Sequence, residues 1–239
     1  MIIYGKHPCF LCLKAKGAKI YEIYVAQKQN KILREFCHQN QIDDKAFKIK
    51  VCDSKLLDNL AGFGNLHQGF VMKISAPKFT DFDDFTNNLS ENKPNLVILD
   101  SITDVHNIGA IIRSCVAFGV EHVVVARNFP IESAVIFKAS AGVAFAVNFI
   151  APGNLNNAVK KLKDCGYWVV GMDGNGDGDV KKINQYQPCV VVLGNEGRGI
   201  SNLLKKNCDL LVKIDIDKKV ESLNVSNACS IALNYLKNG

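Results

Sequence analysis

The feature that most constrains this chain is a rhythm that begins at Asn95. Short, almost purely apolar runs with little polar alternation are each followed by a loop or a helix-length amphipathic stretch. Leu96–Leu99 and Val190–Leu193 are the clearest such runs, joined by His122–Ala126, Val143–Phe149, Tyr167–Gly171 and Leu210–Ile214. A strand that is apolar on both sides must be covered on both faces, so the pattern predicts an α/β fold with a mostly parallel sheet between helical layers. Helices are expected over Ile108–Phe118, Ile131–Ala139, Leu155–Cys165 and Val225–Leu236. Open sheets of this kind bind ligands beyond the carboxyl ends of their strands. Chemistry is therefore expected in the loops after Leu99, Leu193 and Ile214.

The texture before Asn95 is different. Residues 1–75 alternate short amphipathic helix candidates with strands such as Ile20–Val25 and Phe70–Ile74, as a small α/β domain would. Residues 76–94 are polar and acidic, with Pro77, Asp81, Asp83, Asp84, Asn87, Asn88 and Pro94, a linker's composition with room for one short helix near Phe82–Leu89. The expected organisation is a domain over 1–75, a linker over 76–94 and a domain over 95–239, compatible with a length of 239 residues.

A formal charge of +6 and a pI near 8.8 permit a nucleic-acid partner without demanding one. Nine cysteines raise the question of metal. Cys9 and Cys12 form one CxxC, but no second pair and no HxxxH accompanies it, and Cys115 and Cys229 lie in apolar runs. Buried, reduced thiols are expected, with no metal site. No signal peptide and no apolar stretch of about 18 residues is present, so a cytoplasmic protein without membrane contact is expected.

Three segments carry candidate chemistry. In Leu99–Arg113 a strand ends in Asp100, a polar loop follows, and Asn107 is placed to cap a helix. Gly109 allows close approach of another backbone or a ligand. Arg113 falls inside an apolar helix, where an unpaired charge is costly, so either a core carboxylate or a ligand has to answer it. In Leu193–Ser201 three glycines (Gly194, Gly197, Gly199) follow a buried strand, forming either an ordinary turn or a loop whose amides face a ligand. Glu196 in its middle would repel phosphate. In Glu221–Ala228, Ser222, Asn224 and Ser226 crowd the start of a helix. One of them suffices as a cap; three suggest a polar site at the helix entrance. The run Asp173–Asp179 imitates a calcium loop, but Asn184 stands where the bidentate Glu is needed. Its glycines Gly174, Gly176 and Gly178 lack dinucleotide spacing. A flexible glycine loop beside the ligand crevice is expected there.

Taken together, these segments resemble the three signature motifs of the SpoU (TrmH-type) branch of the SPOUT methyltransferases, in family order and spacing. The matching residues are Asn107, Gly109 and Arg113, then Gly194, Glu196 and Gly197, then Ser222, Leu223, Asn224, Val225 and Ser226. The resemblance runs from about Asn95 to Leu236. The N-terminal block resembles the family's small L30e-like RNA-binding domain through Tyr4–Pro8 and Asn65–Phe70, an architecture similar to the 23S rRNA guanosine-2′-O-methyltransferase subgroup. The resemblance implies an α/β knot, its C-terminal part threaded as a deep trefoil. It also implies ribose 2′-O-methylation of a 23S rRNA guanosine, with S-adenosylmethionine as methyl donor, ribosomal RNA as partner and a homodimer; the alternatives are a tRNA ribose 2′-O-methyltransferase or a non-catalytic RNA-binding protein on the same fold. It assigns the donor pocket to Gly194, Gly197, Ile214 and Leu223, and the catalytic roles to Arg113, Asn107, Glu196, Ser222 and Asn224. Asp215 and Lys218 stand where relatives usually carry Pro and Gly, which alters the expected path of the donor-pocket loop.

Overall fold

A computed structural model describes residues 1–15 and 18–239. Along the chain the strands are β1 (Ile2–Tyr4), β2 (Ile20–Ala26), β3 (Ile49–Cys52), β4 (Phe70–Ile74), β5 (Thr80–Asp81), β6 (Leu96–Leu99), β7 (His122–Val124), β8 (Asn148–Ala151), β9 (Trp168–Met172), β10 (Gly178–Asp179), β11 (Cys189–Leu193) and β12 (Leu210–Lys213). The α-helices are α1 (Lys6–Lys14), α2 (Asn30–Gln39), α3 (Ser54–Ala61), α4 (Phe82–Asn87), α5 (Val105–Ala117), α6 (Ala134–Ala139), α7 (Leu155–Asp164), α8 (Asn202–Asn207) and α9 (Val225–Asn238). They group into two compact units, Met1–Pro77 with Pro130–Ala146, and Lys78–Phe129 with Val147–Gly239.

The first unit carries a four-stranded mixed sheet ordered β1-β4-β2-β3, with only β2 and β3 parallel. Ile3, Ile23, Val25, Val71 and Met72 are fully buried in it. Pro8 sits in the first turn of α1, where its missing N–H has no helical partner to lose. The 130–146 segment is tied to this unit by Lys138, whose ammonium donates to the Leu66 carbonyl and lies 4.9 Å from the Tyr4 ring centre. Gly142, at φ +89°, passes so close to Pro8 that an added Cβ would meet its Cα at 2.7 Å.

The second unit carries an eight-stranded sheet ordered β10-β12-β9-β11-β6-β7-β8-β5, with every neighbouring pair parallel. Strands β6 and β11 are completely buried, as their unbroken apolar runs require. All these strands point the same way, but the chain leaves β6 for β7 on one side and leaves β11 for β12 on the other, so the β6/β11 boundary is a topological switch point. Helices α4, α7 and α8 contribute Phe82, Ala158, Val159, Leu162 and Leu204 to one core cluster with the sheet. Helix α7 is capped by Asn154, which accepts from the amides of Asn156 and Asn157. Helices α5 and α9 pack together, joined by a 2.6 Å hydrogen bond between Ser114 and Ser230.

Three expectations are corrected. The 76–94 stretch does not behave as a linker: β5 pairs with β8, and Phe82 of α4 is buried in the sheet's core. Val143–Phe149 is not one strand. Ala141 and Gly142 both take positive φ, a 3₁₀ turn spans Val143–Ala146, and β8 starts only at Asn148. The 173–179 glycine run is packed rather than a free loop. A Cβ on Gly176 would lie 2.6 Å from the Leu211 carbonyl oxygen, and Gly178–Asp179 pairs with Val212–Lys213. Burial alone would raise the Asp173 carboxyl, but Lys205 Nζ at 2.5 Å and the Asn175 amide hold it below its ordinary range. Among the described residues no group of three metal-ligating side chains occurs, all nine cysteines are free, and no helix is long and apolar enough to cross a membrane.

Candidate active site

The loops that leave β6 and β11 open from the switch point, and their own residues lock them together. Asp100, only 6% exposed, accepts from the Ser201 amide at 2.7 Å and from the Ser101 hydroxyl, while its amide donates to the Leu193 carbonyl at 2.8 Å. Asn195 donates through Nδ2 to the Ser101 carbonyl at 2.9 Å and accepts from the amides of Gly197 and Arg198. Gly194 is buried under the loop's return; a Cβ there would lie 2.1 Å from Gly199 C and Ile200 N. No other residue type fits that position without moving backbone.

Helix α5 starts earlier than the sequence suggested, because Asp104 caps it by accepting from the His106 amide at 2.8 Å. That frees Asn107 from capping. Its Nδ2 donates to Glu196 Oε1 at 3.0 Å and its Oδ1 accepts from Asn224 Nδ2 at 2.9 Å. Asn224 in turn caps α9, accepting at Oδ1 from the Ser226 amide at 2.9 Å and the Ser226 hydroxyl at 2.6 Å. The chain has one consistent direction: a carboxylate only accepts, so Asn107 must present its amide to Glu196, leaving its carbonyl for Asn224. Three segments separated by up to 117 positions thus meet in one polar network.

The remaining predicted residues stand apart from it. Arg113 is exposed on α5, with no ion pair or side-chain hydrogen bond among the described residues, so no core carboxylate answers its charge. Ser222 is exposed and Leu223 half-buried on the 214–223 segment between β12 and α9. Ile214 is half-buried at the start of that segment, and Gly197 is exposed in the β11 loop. Asp100 and Asn195, which brace the site, were missed in the sequence. Their signal was position: each sits within two residues of the carboxyl end of a buried strand.

Residues 94–234 match the SpoU rRNA Methylase family. The chain belongs to that family. Residues 2–80 match a second family, described as RNA 2′-O ribose methyltransferase substrate binding. A similar protein of Mycolicibacterium gilvum, called an uncharacterized tRNA/rRNA methyltransferase, is 35% identical over 235 residues, covering 97% of this chain and 74% of that protein. The 23S rRNA (guanosine-2′-O-)-methyltransferase RlmB of Neisseria meningitidis is 33% identical over 238 residues, covering 97% and 92%. Among solved structures, the SpoU methyltransferase AviRb of Streptomyces viridochromogenes, in complex with the cofactor AdoMet, superposes with a TM-score of 0.79 at 24% identity. That match covers 99% of this chain and 88% of that one. The SpoU fold accounts for the switch-point geometry, and the two family matches lie on either side of the 81–93 stretch.

Proposed function

We propose that this SpoU protein transfers the methyl group of S-adenosylmethionine to the ribose 2′-hydroxyl of a guanosine in 23S rRNA. The observation that carries the reading is the Asn224–Asn107–Glu196 network, which gathers all three motif segments outside the carboxyl ends of β6, β11 and β12. The near full-length likeness to the Neisseria enzyme supports the substrate.

The residues present fit the donor. Ile216 and Val220, 37% and 51% exposed, leave apolar surface on the 214–223 segment, and half-buried Leu223 adds to it. Such a surface suits an adenine ring. The exposed Glu196 carboxylate nearby suits a cationic sulfonium and not a phosphate. Gly194, Gly197, Ile214 and Leu223 would hold the donor, which supplies an activated methyl whose departure leaves a neutral thioether.

The chain's own task is then the nucleophile, since a ribose hydroxyl is poor until its proton departs. Arg113 carries an unanswered positive charge and stabilises the alkoxide as it forms. A guanidinium is a poor proton acceptor, so the proton leaves to solvent or to an RNA phosphate. Asn107 and Asn224 orient the site, Glu196 fixes the β11 loop, and Ser222 offers a hydroxyl to donor or substrate. The working unit is a homodimer, in which a partner copy covers part of the exposed apolar surface, and the enzyme acts in the cytoplasm.

Purified protein with labelled S-adenosylmethionine should methylate ribose in rRNA from a strain lacking it, and in tRNA far less. Transfer to neither RNA would sink the reading, and preference for tRNA would correct the substrate. Light scattering of the purified chain checks the dimer.

A further inference from the structure

The first unit contains a groove that the methyl-transfer chemistry does not use. It lies between α1 and α2, measures about 400 Å³, and its lining includes Lys6, Phe10, Lys14, Glu35, Phe36 and Gln39. That is within the size range of small-ligand sites. Phe10 and Phe36 stack with ring centres 4.1 Å apart, and Phe10 is further held edge-on by Phe70 at 5.1 Å. The aromatic wall is therefore fixed in place rather than formed on binding. The cations sit on the same rings: Lys6 Nζ is 5.8 Å from the Phe10 centre and Lys14 Nζ 5.3 Å from the Phe36 centre. Both lysines are exposed and make no salt bridge among the described residues. Glu35, the one acidic lining residue, faces Lys31 at 3.8 Å.

We propose that this groove binds a single unstacked nucleotide of the RNA, one that is not methylated, with its base against the half-buried Phe36, which the buried Phe10 backs, and its flanking phosphates on Lys6 and Lys14. The two lysines are eight residues apart on one helix, roughly 12 Å along its axis, enough to reach the backbone on both sides of one seated base. Aromatic stacking is tolerant of base identity, so the groove adds affinity and register without reading sequence. A peptide partner is disfavoured, because two free cations flank the apolar wall and only one carboxylate lines it. The proposal rests on RNA being the substrate, as argued above.

The test uses the full chain and fluorescein-labelled octa-adenylate RNA, followed by anisotropy. Lys14→Gln should weaken binding about fivefold and flatten the slope of log affinity against log salt by about 0.7, the loss of one phosphate contact on a single strand. Lys45→Gln, an exposed lysine of the same unit outside the groove, should change affinity less than twofold. Phe36→Ala should cost about tenfold, while Phe36→Tyr, which keeps the ring, stays within twofold. Lys14 is at the surface, so its variant tests the groove even if Phe36→Ala does not fold. Absent wild-type binding, equal effects of Lys14→Gln and Lys45→Gln, or equal losses in Phe36→Tyr and Phe36→Ala would each overturn the proposal. A methyl-transfer assay of the wild type runs alongside. Transfer with an inert groove sinks the groove alone, whereas a functioning groove without transfer to any RNA sustains it and sinks the enzymatic reading.

Discussion

The two loops that flank the site are built on opposite plans. The loop after β11 is held by the buried Asp100, by Asn195 reaching the Ser101 carbonyl, and by a glycine whose surroundings leave no room for one carbon. The segment after β12 is anchored at its end, where Asn224 caps α9. Over Asp215–Ser222 its hydrogen bonds among the described residues stay within itself, at Asp217, Lys219 and Val220, and every residue there is exposed. One loop is finished by the fold. The other waits for something to cover Ile216 and Val220. A donor pocket between them would have one rigid wall, set before binding, and one wall that binding completes.

The largest effect should come from breaking the rigid wall. Gly194→Ala puts a Cβ 2.1 Å from backbone atoms of Gly199 and Ile200, which cannot swing aside as a side chain tip would. A cost on the order of 3 kcal/mol or more is expected, read as a lower urea midpoint with an unchanged slope. Gly174→Ala, with nothing within 4 Å of its Cβ, should move the midpoint little. If the two variants prove equally stable, the β11 loop is not the rigid member of the pair.

The rigid wall is also the part that sequence made readable. Buried parallel strands announce themselves as unbroken apolar runs, and Leu96–Leu99 and the Val190–Leu193 core of β11 lie within a residue of where that pattern puts them. The order of strands does not follow from such runs, because nothing local says that β11 lies beside β6 and not beside β12. Val143–Phe149 was misread because a short apolar run has no period to separate a strand from a turn, and the positive φ of Ala141 is invisible in an alanine. Asn107 looked like a cap because it precedes an apolar stretch. Asp104, three residues earlier, took that role, and the asparagine's true partners are 89 and 117 positions away. Pairing at that separation is decided by the assembled sheet, which is why its chemistry was legible only through family resemblance. The α1–α2 groove gave no signal at all, since Phe10 and Phe36 come from different helices and look like ordinary core residues.

A second, smaller effect should separate holding the wall from stabilising the protein. Glu196→Ala removes the acceptor for both Asn107 and Asn195, yet the residue is exposed, so a stability loss below about 1 kcal/mol is expected. Methyl transfer should fall about a hundredfold, the scale of a misplaced catalytic group. Asn107→Ala should act through the same network, so the double variant should lose no more turnover than the worse single. Additive losses in that cycle would mean the two side chains serve separate purposes and the network is incidental.

The smallest effect concerns the open wall. Lys218 and Lys219 are exposed on a segment with only internal hydrogen bonds, so trypsin should cut there early. S-adenosylmethionine at tenfold its dissociation constant should slow that cut about tenfold if the cleaved form cannot bind it, since the susceptible population falls with occupancy. Cuts in the first unit should keep their rates, which separates local covering from general stabilisation. Mass spectrometry of the early fragments gives both rates in one experiment. Should the donor protect the β11 loop at Arg198 and leave Lys218 and Lys219 unprotected, the roles of the two walls are reversed: the segment after β12 then does not close on the donor, and its exposed Ile216 and Val220 need another partner, for which the second subunit is the candidate.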